Sequence, residues 1–559
     1  MSISKRPGIL LFLVATLLAL FVTAPAILSL NQVIYGTPGD AFGGVSQYWW
    51  WGYALTHGKP LLDNTMVGVP LGSDWPHIPF AVLPLIFFPA VSAAVGPVAG
   101  YNLLIISAFP LTAVAAYLLG REAGMRSLAA AFTGLAFAFV PYHVEKAQGH
   151  GNASHMEFLP LTLMFLLRWR RSGRRRDAAL AGAMAGLQLW MDWSFEFVLA
   201  FGLLAFVVAG LLVPPAGWSR ARWLGKTAVD SLVFTGVWLL FTPFALVAFH
   251  RPGSGSFGGE VANIHRQYAD LVTYSAHLRE YLEPWHANPL LPQAIRAWEN
   301  AGLHGSNWTE SSLFVGYIVL ALALVGIAAS RRSFNVALCV ALVGAGTLMA
   351  QPPIVHLFGV EIHGPSFYIY PFLGIFRVYA RFGVLVLVAT AVLAGLGFSA
   401  LQDRAGRGRR RWVLLAPFVL LALEFNNLPP PHVTRLLPAP AAYTWLRSQP
   451  DGVLLEYPAQ SGNGSTLEIQ VRLYGVYQMV HQHPMFLNGE PNSGPVANAA
   501  RTLEPYYQPG VAARLRGYGI RYVFVHRDAY RDNGFDLPTA VTGLRFLRTM
   551  DGTDIYLVE

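Results

Sequence analysis

Short clusters of arginine divide this chain into apolar segments of roughly twenty residues, the length that spans a bilayer as a helix. The densest basic clusters lie at 168–176, 220–226, 331–332 and 404–411. Basic residues of membrane proteins collect in the cytoplasmic loops. Since 54% of the chain is hydrophobic and only 12% is charged, topology explains the net charge of +9 better than nucleic-acid binding does. The sequence therefore predicts an α-helical polytopic membrane protein, and we expect no nucleic-acid partner.

The apolar segments between the clusters predict about eleven transmembrane helices within residues 1–427. The predicted spans run from Lys5 to Leu30, near 99–120, 127–142, 155–169, 178–192, 195–213, 227–249, 311–330 and 334–350, up to Arg404, and near 412–427. With the N-terminus in the cytoplasm, the loops 31–98, 143–154, 250–310 and 351–380 lie outside. Residues 79–97 are apolar too, but prolines interrupt them, so we interpret them as an interfacial or re-entrant segment.

After Asn427 the long apolar segments end and short runs typical of strands and helices follow. We expect residues 428–559 to form a small α/β domain outside the membrane. Runs rich in β-branched and aromatic residues predict strands at 453–457, 522–526 and 553–558. The periodicity of 440–449 and 510–518 favours helices.

Asp40 follows the first predicted helix in a loop rich in glycine and proline, from Gly36 to Gly44. A carboxylate at this position could orient or deprotonate a hydroxyl group. The alternative is a turn-forming aspartate, because aspartate bonds readily to its own backbone in turns.

This layout resembles the GT-C superfamily of polytopic glycosyltransferases, which includes protein O-mannosyltransferases, aminoarabinose transferases and oligosaccharyltransferase catalytic subunits. Their first external loop carries an acidic residue, which Asp40 matches. Three short segments of the chain are also similar to bacterial YfhO-like membrane proteins. They are Thr309–Gly316, Phe376–Phe382 and the tail from His483 to Gly489. The resemblance implies that Asp40 is catalytic and contacts the acceptor or a metal.

The second external loop carries the most polar groups, and we expect it to bind a metal or a sugar. Its candidates are His143, Glu145, His150, His155 and Glu157, with Lys146 among them. Carboxylates favour Mg or Mn, whereas imidazoles favour transition metals such as Zn, which we consider the less favoured ion here. Histidines dominate where the metal-dependent GT-C enzymes have acidic residues, so a metal-free role in sugar binding stays open, as does a solvated loop without a specific role.

Arg377 and Arg381 are four residues apart, so on a helix they would share one face. They would enter the tenth span from the outside, where basic residues are unusual. We expect the pair, with the Tyr379 hydroxyl, to bind the phosphate of a lipid-linked donor. The alternative is that they snorkel to anionic lipid.

A further set of polar and aromatic residues suits a substrate cleft, since aromatic rings stack on sugars while polar groups bond to hydroxyls. These candidates are Asp192, Trp285, His286, Trp308, Glu310, His483 and Asn488. Glu310 stands at the start of a predicted span, where a carboxylate needs a partner.

The sequence thus predicts a membrane glycosyltransferase that moves a sugar from a polyprenyl-phosphate-linked donor to an extracytoplasmic glycan, lipid or protein acceptor. We expect an integral protein of a bacterial inner or plasma membrane, with its C-terminal domain extracytoplasmic. A transporter or flippase of lipid-linked sugars and a non-catalytic cell-envelope assembly protein are the alternatives.

Overall fold

Apolar helices and a small mixed sheet fall into two separate units of this chain. The computed structural model describes residues 5–72, 82–243, 268–290, 308–357, 359–372, 376–405, 414–428, 430, 432–459, 466–487, 494–538 and 540–559. Unit 1 comprises residues 1–27, 103–247 and 255–431, and unit 2 comprises residues 28–102, 248–254 and 432–559.

Helices dominate the described chain. In order, they are α1 (Lys5–Val22), α2 (Asp40–His57), α3 (Val82–Val95), α4 (Pro97–Glu122), α5 (Ser127–Ala138), α6 (Pro141–Gly149), α7 (Phe158–Ser172), α8 (Arg175–Met191), α9 (Ser194–Leu212), α10 (Arg220–Leu239), α11 (Tyr268–Thr273), α12 (Trp308–Ser311), α13 (Tyr317–Ser330), α14 (Phe334–Ala350), α15 (Pro365–Ile369), α16 (Gly383–Ala405), α17 (Ala416–Glu424), α18 (Ala441–Leu446), α19 (Thr466–His481), α20 (Gly494–Leu503), α21 (Val511–Gly517) and α22 (Arg527–Asp532). The strands are β1 (Val33–Tyr35), β2 (Ile354–Leu357), β3 (Val360–His363), β4 (Val433–Arg435), β5 (Val453–Tyr457), β6 (Ile520–His526), β7 (Leu544–Met550) and β8 (Thr553–Val558).

Fewer helices meet the length and hydropathy expected of a membrane span than the sequence predicted. In the described ranges these are Pro97–Glu122, Ser194–Leu212 and Tyr379–Arg404, with a fourth if α5 and α6, bent by 44° at their junction, form one span. Several other predicted spans coincide with shorter helices; α13, for example, has 14 residues and is therefore only about 21 Å long. The expected count of eleven is not confirmed.

The outer surface of α1 is apolar, as expected of a helix that faces lipid. Leu10, Leu17 and Phe21 are exposed, whereas Ala15 and Ala19 are buried within unit 1. Large apolar side chains on the outside and small ones inside are typical of helices that pack together in a bilayer.

Residues 82–95, part of the segment 79–97 that we expected to be interfacial or re-entrant, form one helix. α3 covers Val82–Val95 and contains Pro89. Pro84 falls in the first turn, where the missing N–H would have no partner within the helix in any case. The prolines therefore do not prevent a helix here, and with 14 residues the helix is shorter than a regular membrane span.

Glycines allow two helices of unit 1 to pack backbone against backbone. A Cβ atom added at Gly397 of α16 would lie 1.9 Å from the Leu322 carbonyl oxygen of α13, and one at Gly326 would lie 2.2 Å from the Leu393 carbonyl oxygen. No side chain fits at either position without separating the helices.

Unit 2 is built on a four-stranded sheet in the order β5-β6-β8-β7, in which β5 and β6 are parallel and the other neighbours antiparallel. Alternate side chains fill two cores: Leu455 and Val523 belong to one, Leu454 and Phe524 to the other. Strands are present at all three positions that the sequence predicted. β7 was missed, because buried and exposed residues do not alternate along it and most of its residues are exposed.

The first external loop of the sequence prediction is an integral part of unit 2. β1 pairs with β4, and the Met485 N–H donates to the Met66 carbonyl oxygen at 2.8 Å. Ser46 of α2 lies 3.2 Å from where a Cβ at Gly475 of α19 would be, so these two helices also approach closely. Contacts between residues this far apart in the sequence cannot be recognised from local sequence patterns.

We expect Gly397→Ala to lower the free energy of unfolding by about 1 to 3 kcal/mol, because the added methyl forces α13 and α16 apart. The measurement is the thermal unfolding midpoint in detergent micelles. Gly225→Ala in α10 is the matched control, since a Cβ there has nothing within 4 Å. A Gly397 variant as stable as the Gly225 variant would contradict the packing described.

Candidate functional site

The polar residues expected in the second external loop lie on a buried helix. α6 begins with Pro141 in its first turn, where proline is well tolerated, and every side chain from 141 to 148 is buried. His143, Glu145 and Lys146 are exposed by no more than 2%. The loop 143–154 is therefore not a solvated connection. Because buried polar groups are costly without partners, their contacts indicate what this helix is for.

Lys146 is the centre of a buried ion network. Its Nζ lies 2.5 Å from Oε2 of Glu310, and Oε1 of the same carboxylate accepts from Nη2 of Arg381 at 3.1 Å. Nη1 of Arg381 lies 3.8 Å from Oδ2 of Asp192 and also donates to the Ser194 hydroxyl. The network joins α6, α12, the turn before α9 and the 3₁₀ turn Tyr379–Phe382.

The charges of this network cancel. It contains two cations, Lys146 and Arg381, and two carboxylates, Glu310 and Asp192. Burial raises the pKa of Glu310, but the charges of Arg381 and Lys146 outweigh it and lower the pKa to about 2. Glu310 is therefore ionised at neutral pH, although it is buried.

Glu145, next to Lys146 on α6, has a second set of partners. The Trp285 indole N–H donates to its Oε1 at 2.8 Å, and His286 Nε2 lies 3.6 Å from the same oxygen. Successive residues of a helix point about 100° apart, so neighbouring charges of opposite sign serve different contacts. The expected substrate-cleft pair 285–286 thus lies against the expected sugar-binding residue Glu145.

The histidines of this region are held separately. His143 Nδ1 lies 2.6 Å from the Ala138 carbonyl oxygen, and its ring stacks on Phe109 at 4.6 Å between centroids. His155 contacts Glu157 through Nδ1 at 2.9 Å and the Leu104 carbonyl oxygen through Nε2 at 3.1 Å. His150 caps α6 with its backbone N–H and contributes to the charge environment of Glu310.

Arg377 and Arg381 do not share a helix face, contrary to our expectation. Residues 376–378 are not helical and 379–382 form a 3₁₀ turn, because α16 begins only at Gly383. The Arg381 side chain lies in the buried network. Arg377 stays half-buried, with its guanidinium 3.4 Å from Asp270 and 4.8 Å from the centre of the Tyr274 ring. Tyr379 is buried in the core.

In unit 2, Asp40 is the first residue of α2. Gly39 before it has a φ of 107°, a conformation that favours glycine. An acidic residue at this position is stabilised by the positive end of the helix. Its carboxylate accepts from Arg472 Nη1 at 2.8 Å and stays half exposed.

The three remaining candidates lie elsewhere in the chain. His483 is buried, with Nδ1 3.2 Å from the Gly452 carbonyl oxygen, so it supports the core of unit 2. Trp308 begins α12. Asn488 lies outside the described residues.

Comparison with solved structures gives matches along nearly the whole chain. The oligosaccharyltransferase of Archaeoglobus fulgidus, solved with Zn and sulfate, matches at a TM-score of 0.53 and 15% identity, over 93% of this chain and 68% of the other. Arabinofuranosyltransferase AftD from Mycobacteria matches at 0.56 and 14%, over 100% of this chain and 42% of AftD. ArnT from Cupriavidus metallidurans, bound to undecaprenyl phosphate, matches at 0.50 and 13%, over 99% of this chain and 98% of ArnT.

The chain has the GT-C fold. The chain spans about two fifths of the length of AftD. Because the sequence identities are low, the similarity concerns the fold alone. No family model matches the sequence, and no curated protein matches it either.

The divalent metal that we expected does not fit the side chains seen in the described residues. Within the described ranges no group of three or more His, Cys, Asp or Glu side chains could hold an ion. Of the predicted ligands, His143 bonds to a backbone carbonyl oxygen and His155 and Glu157 bond to each other. The Glu310 oxygens face Lys146 and Arg381. The expected metal site among residues 143–157 is therefore not formed by the described residues.

Sequence reasoning had placed Lys146 in this region without giving it a role, and it did not single out Ser194 as a contact of Arg381. A lysine close to the end of a predicted membrane span was the available signal. Its partner Glu310 is 164 residues away, so the pairing itself was not readable.

We expect Glu310→Gln to lower the free energy of unfolding by about 3 to 5 kcal/mol, because it leaves buried cations without their counter-charge. Denaturation of the purified protein in detergent measures this. Asp403→Asn is the matched control: Asp403 and Arg126 are also 2.5 Å apart, but both side chains are about 60% exposed. There we expect a change of less than about 1 kcal/mol. Equal losses in the two variants would contradict a special role for the buried network.

The contribution of Glu310 to stability depends on pH. Because its pKa is lowered from 4.5 to about 2 in the folded protein, the contribution is complete above pH 4.5 and is lost as the pH falls toward 2. We expect the stability difference between the wild type and Glu310→Gln to shrink over that window. A difference that is constant from pH 6 to about 3 would contradict the lowered pKa.

Proposed function

We propose that this protein is a membrane glycosyltransferase that transfers a sugar from a polyprenyl-phosphate-linked donor to an acceptor outside the cytoplasm. The buried network of Lys146, Glu310, Arg381 and Asp192 carries this proposal. Charged groups in the apolar part of a membrane protein are costly and tend to mark functional sites. The GT-C fold, with ArnT bound to undecaprenyl phosphate among the similar structures, supports the donor class.

The direction of the helices supports an extracytoplasmic site. Asp192 precedes α9, Glu310 precedes α13 and Arg381 precedes α16, so the network gathers the N-terminal ends of these helices. Their opposite ends lead to Arg220, Arg331 and Arg404. By the positive-inside rule those arginines are cytoplasmic, and the network then faces the other side. Helix N-terminal ends also carry partial positive charge, which favours an anionic donor.

We assign the donor phosphate to Arg377 rather than to Arg381. Arg381 is occupied by Glu310, Asp192 and Ser194. The Arg377 side chain is 36% exposed, and its ion pair with Asp270, at 3.4 Å, is longer than a strong charged hydrogen bond. A phosphate can therefore compete for Arg377, while Arg381 supports the site from inside.

We assign Asp40 to the acceptor on the basis of its exposed carboxylate. In the transfer step, the acceptor oxygen forms a bond to the anomeric carbon and the bond from that carbon to the phosphate oxygen breaks. The phosphate leaves with the bonding electron pair, and the hydroxyl proton passes to the carboxylate. The hydrogen bond from Arg472 orients the carboxylate toward its role as proton acceptor.

We expect Arg377→Gln to raise the KM for a short-chain polyprenyl-phosphate sugar on the order of tenfold, since one charged hydrogen bond to phosphate is lost. Radiolabelled sugar transfer by the purified protein in detergent measures it. Arg279→Gln is the matched control, because Arg279 is 40% exposed and also pairs with one carboxylate, that of Glu283. Equal effects of the two substitutions would remove Arg377 from the donor site.

We expect Asp40→Asn to lower kcat by about 100-fold, because the amide cannot accept the acceptor proton. The control is Asp528→Asn, which also removes an acid from the first turn of a helix in unit 2. Both variants should keep the wild-type unfolding midpoint. Full transfer by a folded Asp40 variant would exclude this role.

A further inference from the structure

Two basic side chains contact the Glu310 carboxylate, in the place where a metal ion would contact a metal-binding carboxylate. Lys146 Nζ lies 2.5 Å from one oxygen and Arg381 Nη2 lies 3.1 Å from the other. Oxygen ligands approach Mg or Ca at about 2.0 to 2.6 Å, so the ammonium stands where an ion on Glu310 would stand.

The surroundings hold Lys146 in that position. It is fully buried on α6, and its ammonium lies 5.1 Å from the centre of the Tyr142 ring, one helical turn earlier. A cation over an aromatic face is stabilised by the negative charge of the ring face. Lysine is a compact point charge with three donors, so of the basic side chains it is the closest in shape to a metal ion.

The other nearby carboxylates are also engaged by N–H or O–H donors. Asp192 Oδ1 accepts from the Ser194 hydroxyl at 2.6 Å and from its backbone N–H at 2.9 Å. Glu145 accepts from Trp285. Binding a divalent ion would require these bonds to break and would place two further positive charges beside Lys146 and Arg381, which is strongly unfavourable at low dielectric.

We propose that Lys146 is a built-in replacement for a divalent cation: it supplies the positive charge on Glu310, and the site works without a metal. This inference rests on the proposed function for its catalytic meaning, in which Lys146 and Arg381 hold the Glu310 carboxylate and so keep the site beside Arg377 pre-organised. Its structural part concerns Glu310 and Lys146 alone and stands independently of the reaction.

The test is Mn²⁺ binding by the full-length protein in detergent, followed by the electron paramagnetic resonance of free Mn²⁺. We expect the wild type, freed of metal by chelator, to bind no stoichiometric Mn²⁺ and to keep its unfolding midpoint when Mn²⁺ is added. We expect Lys146→Ala to bind about one Mn²⁺ per chain, because the vacated space exposes the Glu310 oxygen. That binding should disappear in Lys146→Ala/Glu310→Gln.

Lys226→Ala is the matched control, since Lys226 also pairs with a buried carboxylate, that of Asp230. Asp230 keeps Trp169 and Arg175 as partners, so this variant should gain no Mn²⁺. Stoichiometric Mn²⁺ on the wild type that is lost in Glu310→Gln would overturn the proposal, and this measurement does not depend on the folding of a lysine variant. A folded Lys146→Ala protein that gains no Mn²⁺ would overturn it as well.

Activity separates this inference from the proposed function. We expect wild-type transfer to be unchanged by chelator and Lys146→Ala transfer to fall on the order of 100-fold without metal. Transfer that chelator abolishes and Mn²⁺ restores in the wild type contradicts the built-in cation but keeps the glycosyltransferase. Absence of transfer with any donor, combined with the expected Mn²⁺ results, contradicts the function but keeps the built-in cation.

Discussion

Two cations bound to one buried carboxylate hold the first unit together where its helices begin. Lys146, Glu310 and Arg381 come from segments far apart in the sequence, and Asp192 completes the charge balance. Because removing any one member leaves a charge uncompensated in an apolar interior, the four segments are fixed relative to one another. The close glycine packing of α13 against α16 holds these two helices together near their opposite, C-terminal ends.

The two arginines, Arg377 and Arg381, look equivalent in the sequence but have different environments and different proposed roles. Arg381 is internal and neutralised, so it shapes the site, whereas Arg377 reaches the surface beside Asp270 and Tyr274. A buried charge held by several partners is pre-organised and needs no rearrangement during a reaction. An exposed charge with one long ion pair is available to exchange that partner for a phosphate.

The sequence predicted the fold class, the three sheet strands at 453–457, 522–526 and 553–558, and most helix positions, because these follow from local periodicity and charge. It predicted that Glu310 needs a partner but could not identify Lys146, since contacts across 164 residues leave no local pattern. The helix through Arg377 and Arg381 was wrong because a spacing of four residues does not by itself establish helical geometry. The burial of α6 was missed because its many polar side chains are typical of a loop.

The most direct measurement is a structure of the wild-type protein with a bound polyprenyl phosphate, determined by electron cryomicroscopy. We predict density for the phosphate within hydrogen-bond distance of the Arg377 guanidinium, with Lys146, Glu310 and Arg381 still paired and no metal density on Glu310. A phosphate bound instead among the arginines at the opposite helix ends, near Arg331, would contradict the proposed site and the side of the membrane on which it acts.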